Sequence, residues 1–383
     1  MNKRLLKFDI VHPTAYLEKK KSQWNDLDQL SAAEYRQRLI SLRSNYSDFY
    51  THYLNELGWE AEEFFLLDNT YLDKLGKELF GWRYPFRKIN NKLWGKIRPA
   101  RWGWKQRVVQ AYIKEFQPDV LFARSQPMAS RYWQQFRHDC LLVARLSAKL
   151  PNRWHPQDWD LIYTDIESFK DFFEAHNVST ELNKQGFDPR ILDELEGRPP
   201  KHDVTFVGGM GTQNFSKRTH FFEQIAGEVN FKWWGYWWKY GGEGSLDDFP
   251  NLKKFFQGPT SGLDMYQIYK DSKIVLNDYV DIDINDSIGY NQRMFEVMGV
   301  GAFMLTRDAN NFKEQFPDDI FATFNNAEDC VSKIEHHLKH DEERKKIGRN
   351  AQNFVLNNYN YQDIIKKFDK DLRKHLTLKR EDQ

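Results

Sequence analysis

With 383 residues the chain is long enough for two domains that each bury their own core. Its 56 Lys plus Arg almost cancel its 55 Asp plus Glu, which argues against a protein that coats nucleic acid or another polyanion. Cys140 and Cys330 stand far apart and outside metal-ligand spacing, so neither a disulfide framework nor a cysteine-ligated zinc site is expected, and a reducing, cytoplasmic setting fits.

In chain order, the N-terminal Lys3-Arg4 and the short apolar run to Val11 are interrupted by Lys7 and Asp9, a pattern that suits a first strand rather than a signal-peptide core. No apolar window reaches the length that spans a bilayer, so any membrane contact is expected to be peripheral. Apolar spacing of three and four from Asn45 to Leu57 predicts a helix that Gly58 stops. Ala61 to Leu67 reads as a strand, and Leu72 to Phe116 as mostly helical. Its Trp-rich, basic middle, Lys92 to Lys105, is either an acceptor or membrane-surface patch or a solvated loop with a few buried tryptophans. Pro118–Phe122, Cys140–Ala144, Asp160–Thr164 and Val178–Leu182 are short apolar runs at α/β spacing, which predicts a parallel sheet covered on both faces. An amphipathic helix lies between the last two, at Ile166–His176.

The first α/β domain therefore ends near residue 183, and Gly186-Phe-Asp-Pro189 with Gly197-Arg-Pro-Pro200 forms the linker. A second α/β rhythm follows, with strands at Asp203–Val207, Phe231–Tyr236, Lys273–Asn277 and Gly301–Leu305, a helix from Ser216 to Gly227, and a helical tail from Ala327. The expected fold is α/β with two Rossmann-like domains, residues 1–183 and 184–360. A final helix, 361–383, returns to the first domain.

Three segments carry chemistry. Gly208-Gly-Met-Gly211 is expected as a turn after a strand and shortly before a helix, where backbone can approach a phosphate. Lys217 and Arg218 in the first turn of that helix oppose its dipole, so either an anion sits there or both face water. The helix from about Tyr290 to Met298 carries Arg293 and Glu296, three apart. A guanidinium grips phosphate oxygens in a fork and a carboxylate accepts from a ribose diol, although the same spacing also suits an intrahelical ion pair.

Lys273-Ile-Val-Leu-Asn277, Gly289-Tyr-Asn-Gln-Arg-Met-Phe-Glu296 with the following Val-Met-Gly-Val-Gly-Ala-Phe-Met-Leu-Thr306, Phe312–Phe316 and a helix bearing Arg344 resemble, in that order, the C-terminal half of GT-B glycosyltransferases of the CgeB-like, spore-maturation type. Asp203–Gly209 is similar to that group's opening strand. The resemblance implies two domains facing across a cleft, 1–183 on the acceptor side and 184–360 on the donor side, and a nucleotide-sugar donor bound without an essential metal or other cofactor. On that pattern Glu296 would hold the ribose, Arg293, Lys217 or Arg218 the diphosphate, and Gly208 and Gly209 would admit its backbone approach. Asn277 and Tyr269 would form walls. A glutamate seven residues upstream of Glu296, frequent in retaining relatives, is absent because that neighbourhood reads Ile288-Gly-Tyr, which leaves the stereochemistry open.

For the acceptor hydroxyl a base is needed. His12, after the first strand, and Asp165, after another, are the candidates, Asp165 also being placed to cap the helix from Ile166. Arg124 and Ser125, at a third strand end, are candidates for sugar or phosphate contact. The rings of Lys232-Trp-Trp-Gly-Tyr-Trp-Trp-Lys239 either line a binding cleft or simply pack. The expected partners are a nucleotide-sugar and a glycan or lipid-linked glycan acceptor in bacterial or phage surface-polysaccharide synthesis. A transferase acting on protein or nucleic-acid bases, and a scaffold that has lost turnover, are the alternatives.

Overall fold

Short, almost wholly apolar strands need cover on both faces, and the chain supplies it with two parallel sheets wrapped by helices. A computed structural model describes residues 2–45, 47–84, 103–125, 128–147, 150, 154–212, 215–238, 244–279, 291–309 and 312–381. The basic, Trp-rich stretch 92–101 lies outside them, as do Gln126, Lys239 and Ile288 to Tyr290. Two compact units divide the chain: residues 1–12, 17–183 and 365–383 form one, and 13–16 with 184–364 the other.

In the first unit, strands β1 (Arg4–Asp9), β2 (Glu60–Phe65), β3 (Val120–Ala123), β4 (Leu141–Arg145), β5 (Leu161–Thr164) and β6 (Ser179–Leu182) form one sheet in the order β2-β1-β3-β4-β5-β6. All its pairings are parallel. In the second, β7 (His202–Gly211), β8 (Phe231–Trp238), β9 (Ser272–Asn277), β10 (Met304–Arg307) and β11 (Ala322–Phe324) run β11-β10-β9-β7-β8, again all parallel. Both sheets share one winding: the second strand lies on one side of the first, and the third lies on the other. The chain thus reverses direction at β1/β3 and at β7/β9. A crevice opens at the carboxyl ends of the strands where such a reversal occurs, so topology alone nominates one site in each unit.

Helix Tyr361–Glu381 runs from the second unit into the first. Within the first unit its Phe368 ring packs against Tyr50, Phe122 and Tyr163, and Asp369 accepts from the Trp59 indole N–H at 2.5 Å.

One expectation needs correction. Gly208–Gly211 is not a turn; it is the last third of β7, paired with Gly235–Trp238 of β8. Backbones approach too closely there for side chains: a Cβ on Gly235, at φ +146°, would lie 1.9 Å from the Gly208 carbonyl oxygen. In the aromatic run of β8, Trp233 takes the packing alternative: it is fully buried and donates its indole N–H to the Leu252 carbonyl.

The charges that interrupt β1 prove to be core. Parallel register sets Lys7 beside Glu63, and its ammonium donates to both Glu63 oxygens at 2.9 Å and to the Ser47 carbonyl at 2.6 Å. Asp9, two residues on and so on the same face, lies 3.3 Å from that ammonium. All three side chains are buried. Removing one partner from such a group strands the other charges, so Lys7→Met should cost about 3–5 kcal/mol in chemical denaturation. Lys7→Met combined with Glu63→Leu should recover most of it; a double variant no more stable than the single would contradict this pairing.

Candidate functional site at the end of strand β9

In the second unit the reversal point is built from backbone first. Because Gly208 has no side chain, the Arg293 guanidinium can lie flat on β7; a Cβ there would meet its Nη2 at 2.5 Å. Arg293 donates from Nε to the Val207 carbonyl at 2.7 Å and from Nη1 to Asn277 Oδ1 at 2.8 Å, with its plane over Phe206. Asn277 is fully buried and donates in turn to Thr306 Oγ1 at 2.9 Å. Its amide thus holds Arg293 and Thr306, and none of the residue is exposed as a wall.

Two further guanidiniums converge on the next residue. Arg218 donates to the Gly209 carbonyl and, at 3.4 Å, to the Asp278 carbonyl, sandwiched near Phe206 and Phe215. Arg307 forks onto the Asp278 carboxylate at 2.7 and 2.9 Å over the Phe221 ring. Asp278 and Arg307 were missed in the sequence; the available signal was a polar pair at the end of an apolar strand in each case, Asn277-Asp278 and Thr306-Arg307. Arg218 also corrects the reading of its helix, Ser216–Ala226. It neither faces water nor awaits an anion at the surface but is buried, while its neighbour Lys217 is exposed. Adjacent helical residues point about 100° apart, which separates the two cations.

Glu296 sits one turn into the helix Gln292–Gly299, whose N-terminus opens on this crevice. Its expected alternative, an ion pair with Arg293, does not form: among the described residues no ion pair or hydrogen bond engages the Glu296 carboxylate, and Arg293 turns to β7 and β9 instead. The side chain is nonetheless only 9% exposed. Burial pushes its pKa up to about 7, with Arg293 pulling the other way. Tyr266 and Tyr269 are buried behind it. A positively biased edge of three arginines, next to a carboxyl group with unused acceptor capacity, can bind an anion joined to a diol.

The reversal point of the first unit gathers a different set. Asp9 Oδ1 accepts from Ser125 Oγ at 2.5 Å and from Arg124 Nη1 at 3.0 Å, so the two residues named at this strand end share one carboxylate. Burial opposes the Asp9 charge, but Arg124, Lys7 and Ser125 together hold its pKa below the usual carboxylate range. Two carboxylates compete for Lys7, and it is Glu63 that burial pushes up to about 7. His12 follows β1, its carbonyl accepting from Ser44 Oγ at 3.3 Å, and burial lowers its imidazole pKa, which favours the neutral ring. Asp165 does not cap the following helix, whose N-cap Ile166 lacks a side-chain bond; its carboxylate lies 3.8 Å from Arg145 Nη2 instead.

Residues 217–370 match the family described as "Glycosyl transferase-like". No curated protein matches the chain. Among solved structures, Anabaena HepE in complex with UDP-glucose is similar at TM-score 0.56 and 14% identity, over 97% of this chain and 99% of that one. A Rickettsia africae glycosyltransferase is similar at TM-score 0.52 and 14% identity over 98% and 99%. Sucrose-phosphate synthase of Thermosynechococcus elongatus is similar at 0.53 and 9% over 98% and 100%. The chain thus has the GT-B fold of two Rossmann-like domains, and residues 217–370 are similar to the glycosyl transferase-like family.

A carboxyl whose pKa is about 7 folded and 4.5 ordinarily takes up a proton on folding between those values. Its contribution is therefore fully present below pH 4.5 and is lost as pH rises through 7, on the order of 3 kcal/mol in all. Glu296→Gln should accordingly raise the melting temperature relative to wild type at pH 8 and leave it nearly unchanged at pH 5. An equal shift at both would show that Glu296 is not a buried charge in the free protein.

Proposed function

We propose that the protein transfers a sugar from a UDP-sugar to a glycan acceptor. The observation that carries this reading is the buried, unengaged Glu296 carboxylate beside the guanidiniums assembled around Gly208, Asn277 and Asp278. In this reading Glu296 accepts from the ribose 2′- and 3′-hydroxyls, and the diphosphate lies along the Gly208–Gly209 edge against Arg293 and Lys217. Arg218 and Arg307, tied to the backbone and carboxylate of Asp278, add fixed positive potential behind it. When the glycosidic C–O bond breaks, negative charge grows on the diphosphate, and prearranged guanidiniums stabilise it without reorganising. That is how the chain's own residues supply what a metal supplies elsewhere, and no essential metal or cofactor is proposed for the step. UDP is the nucleotide chosen because HepE, of the same fold, was solved with UDP-glucose.

The acceptor is assigned to the first unit. His12, whose neutral ring burial favours, is the better base for its hydroxyl; Asp165, beside Arg145, is the second candidate. Arg124 and Ser125, oriented by Asp9, would contact the acceptor or the transferred sugar. The CgeB-like resemblance supports a place in bacterial or phage surface-glycan synthesis, on the cytoplasmic side and with at most peripheral membrane contact. Among the described residues no helix is long and apolar enough to cross a membrane.

The test is UDP release from a panel of UDP-sugars, with and without oligosaccharide acceptors. Wild type should turn over at least one donor, and Arg293→Ala and Glu296→Ala should each lower kcat/KM about 100-fold or more, equivalent to about 2.7 kcal/mol of transition-state stabilisation. Equal activity in the variants, or no turnover of any nucleotide-sugar, would overturn the assignment.

A further inference from the structure

At the other end of the second sheet, the helices Ala327–Lys339 and Asp341–Asn358 meet at a histidine cluster that the transfer reaction does not use. His336, His340 and Glu343 each offer a ligand atom, and the three atoms lie within 4.8 Å of one another. His336 Nε2 stands 3.1 Å from Glu343 Oε2. Two ligands bound to one zinc ion at about 2.0–2.1 Å in tetrahedral geometry are roughly 3.3 Å apart, so this pair already has the spacing of neighbouring ligands.

The second ring is prepared in the same sense. His340 stacks on His336, centroids 4.0 Å apart, and its Nδ1 lies 2.6 Å from the His336 carbonyl oxygen. Only a donor can face a carbonyl, so Nδ1 carries the proton and Nε2 keeps its lone pair. That outer hydrogen bond is the device that orients metal-bound histidines. An independent observation points to the same place. His337 is buried, with its ring against Phe303, and its Nδ1 has no hydrogen-bond partner while lying 4.0 Å from Glu343 Oε2. A buried polar atom is seldom left unpaired without a function or a missing ligand.

We propose that His336, His340 and Glu343 form a binding site for a borderline divalent transition cation of the zinc class, with the buried His337 Nδ1 on its inner side, 4.0 Å from Glu343 Oε2. Imidazole and carboxylate donors in this combination suit zinc and disfavour magnesium, which takes oxygen ligands and retains water. Phe303 immediately precedes β10, so the cluster sits at the amino ends of the strands, opposite the carboxyl ends where Arg293 and Glu296 lie. The ion's role is therefore to clip two helices together across their junction.

Zinc and magnesium are titrated separately into the metal-stripped full-length protein by calorimetry, with melting temperature as a second readout. His336, His340 and Glu343 are exposed, so His336→Ala/His340→Ala and Glu343→Gln should fold as wild type does. Zinc is expected to bind one to one and raise the melting temperature, magnesium to do neither. The double variant should weaken zinc binding at least tenfold, with UDP-sugar turnover unchanged. Absence of zinc binding, or affinity within twofold of wild type in the double variant, would overturn the proposal and leave a stacked imidazole pair with an ordinary ion pair.

Discussion

The donor-side crevice depends on one contact, the Arg293 guanidinium laid on the backbone of β7 where Gly208 has no Cβ. Everything around it follows from that placement. Nε is used by the Val207 carbonyl and Nη1 by Asn277, which fixes the plane of the group and the direction of its remaining donors. Since Arg293 is engaged by the sheet, it does not neutralise Glu296, and the carboxylate is left buried with its acceptor capacity intact. The folded protein bears the cost of that arrangement, as the raised pKa of Glu296 records, and a ligand with hydroxyls to donate would offset it.

The first unit handles buried charge in the opposite way. Lys7, Asp9, Glu63, Arg124, Ser125 and Thr51 engage one another beneath the reversal point of their sheet, with Asp9 Oδ2 held by the Lys7 ammonium at 3.3 Å as an ion pair without a hydrogen bond. The same winding of two sheets thus carries two different electrostatic arrangements, one with a buried carboxylate that Arg293 does not pair with and one in which buried charges of both signs pair with each other.

Architecture was legible because parallel strands buried on both faces leave short apolar runs, and most lay within two residues of where the sequence put them. The three-residue strand Ala322–Phe324 left too little pattern to see. At the sites, residue types were legible but not their partners. Glycines after an apolar run look alike whether they turn or continue as a strand, and only the pairing with Gly235 separates the cases. Lys7 read as an interruption because its meaning lies in Glu63, 56 residues away, brought alongside by register. Asp278 and Arg307 escaped for the same reason, since a polar residue at the end of a strand is ordinary until the partner strand is known.

The central claim is that the carboxyl ends of β7 and β9 hold a nucleoside diphosphate, and direct binding tests it without reference to acceptor or turnover. Melting temperature would be followed against UDP, GDP, dTDP, CMP and ADP for wild type, Arg293→Ala and Glu296→Ala, because a ligand that binds only the folded state must raise apparent stability. The account predicts a shift that is largest with UDP and is lost in both variants. No shift with any nucleotide at millimolar concentration, or a UDP shift that survives both substitutions, would contradict it.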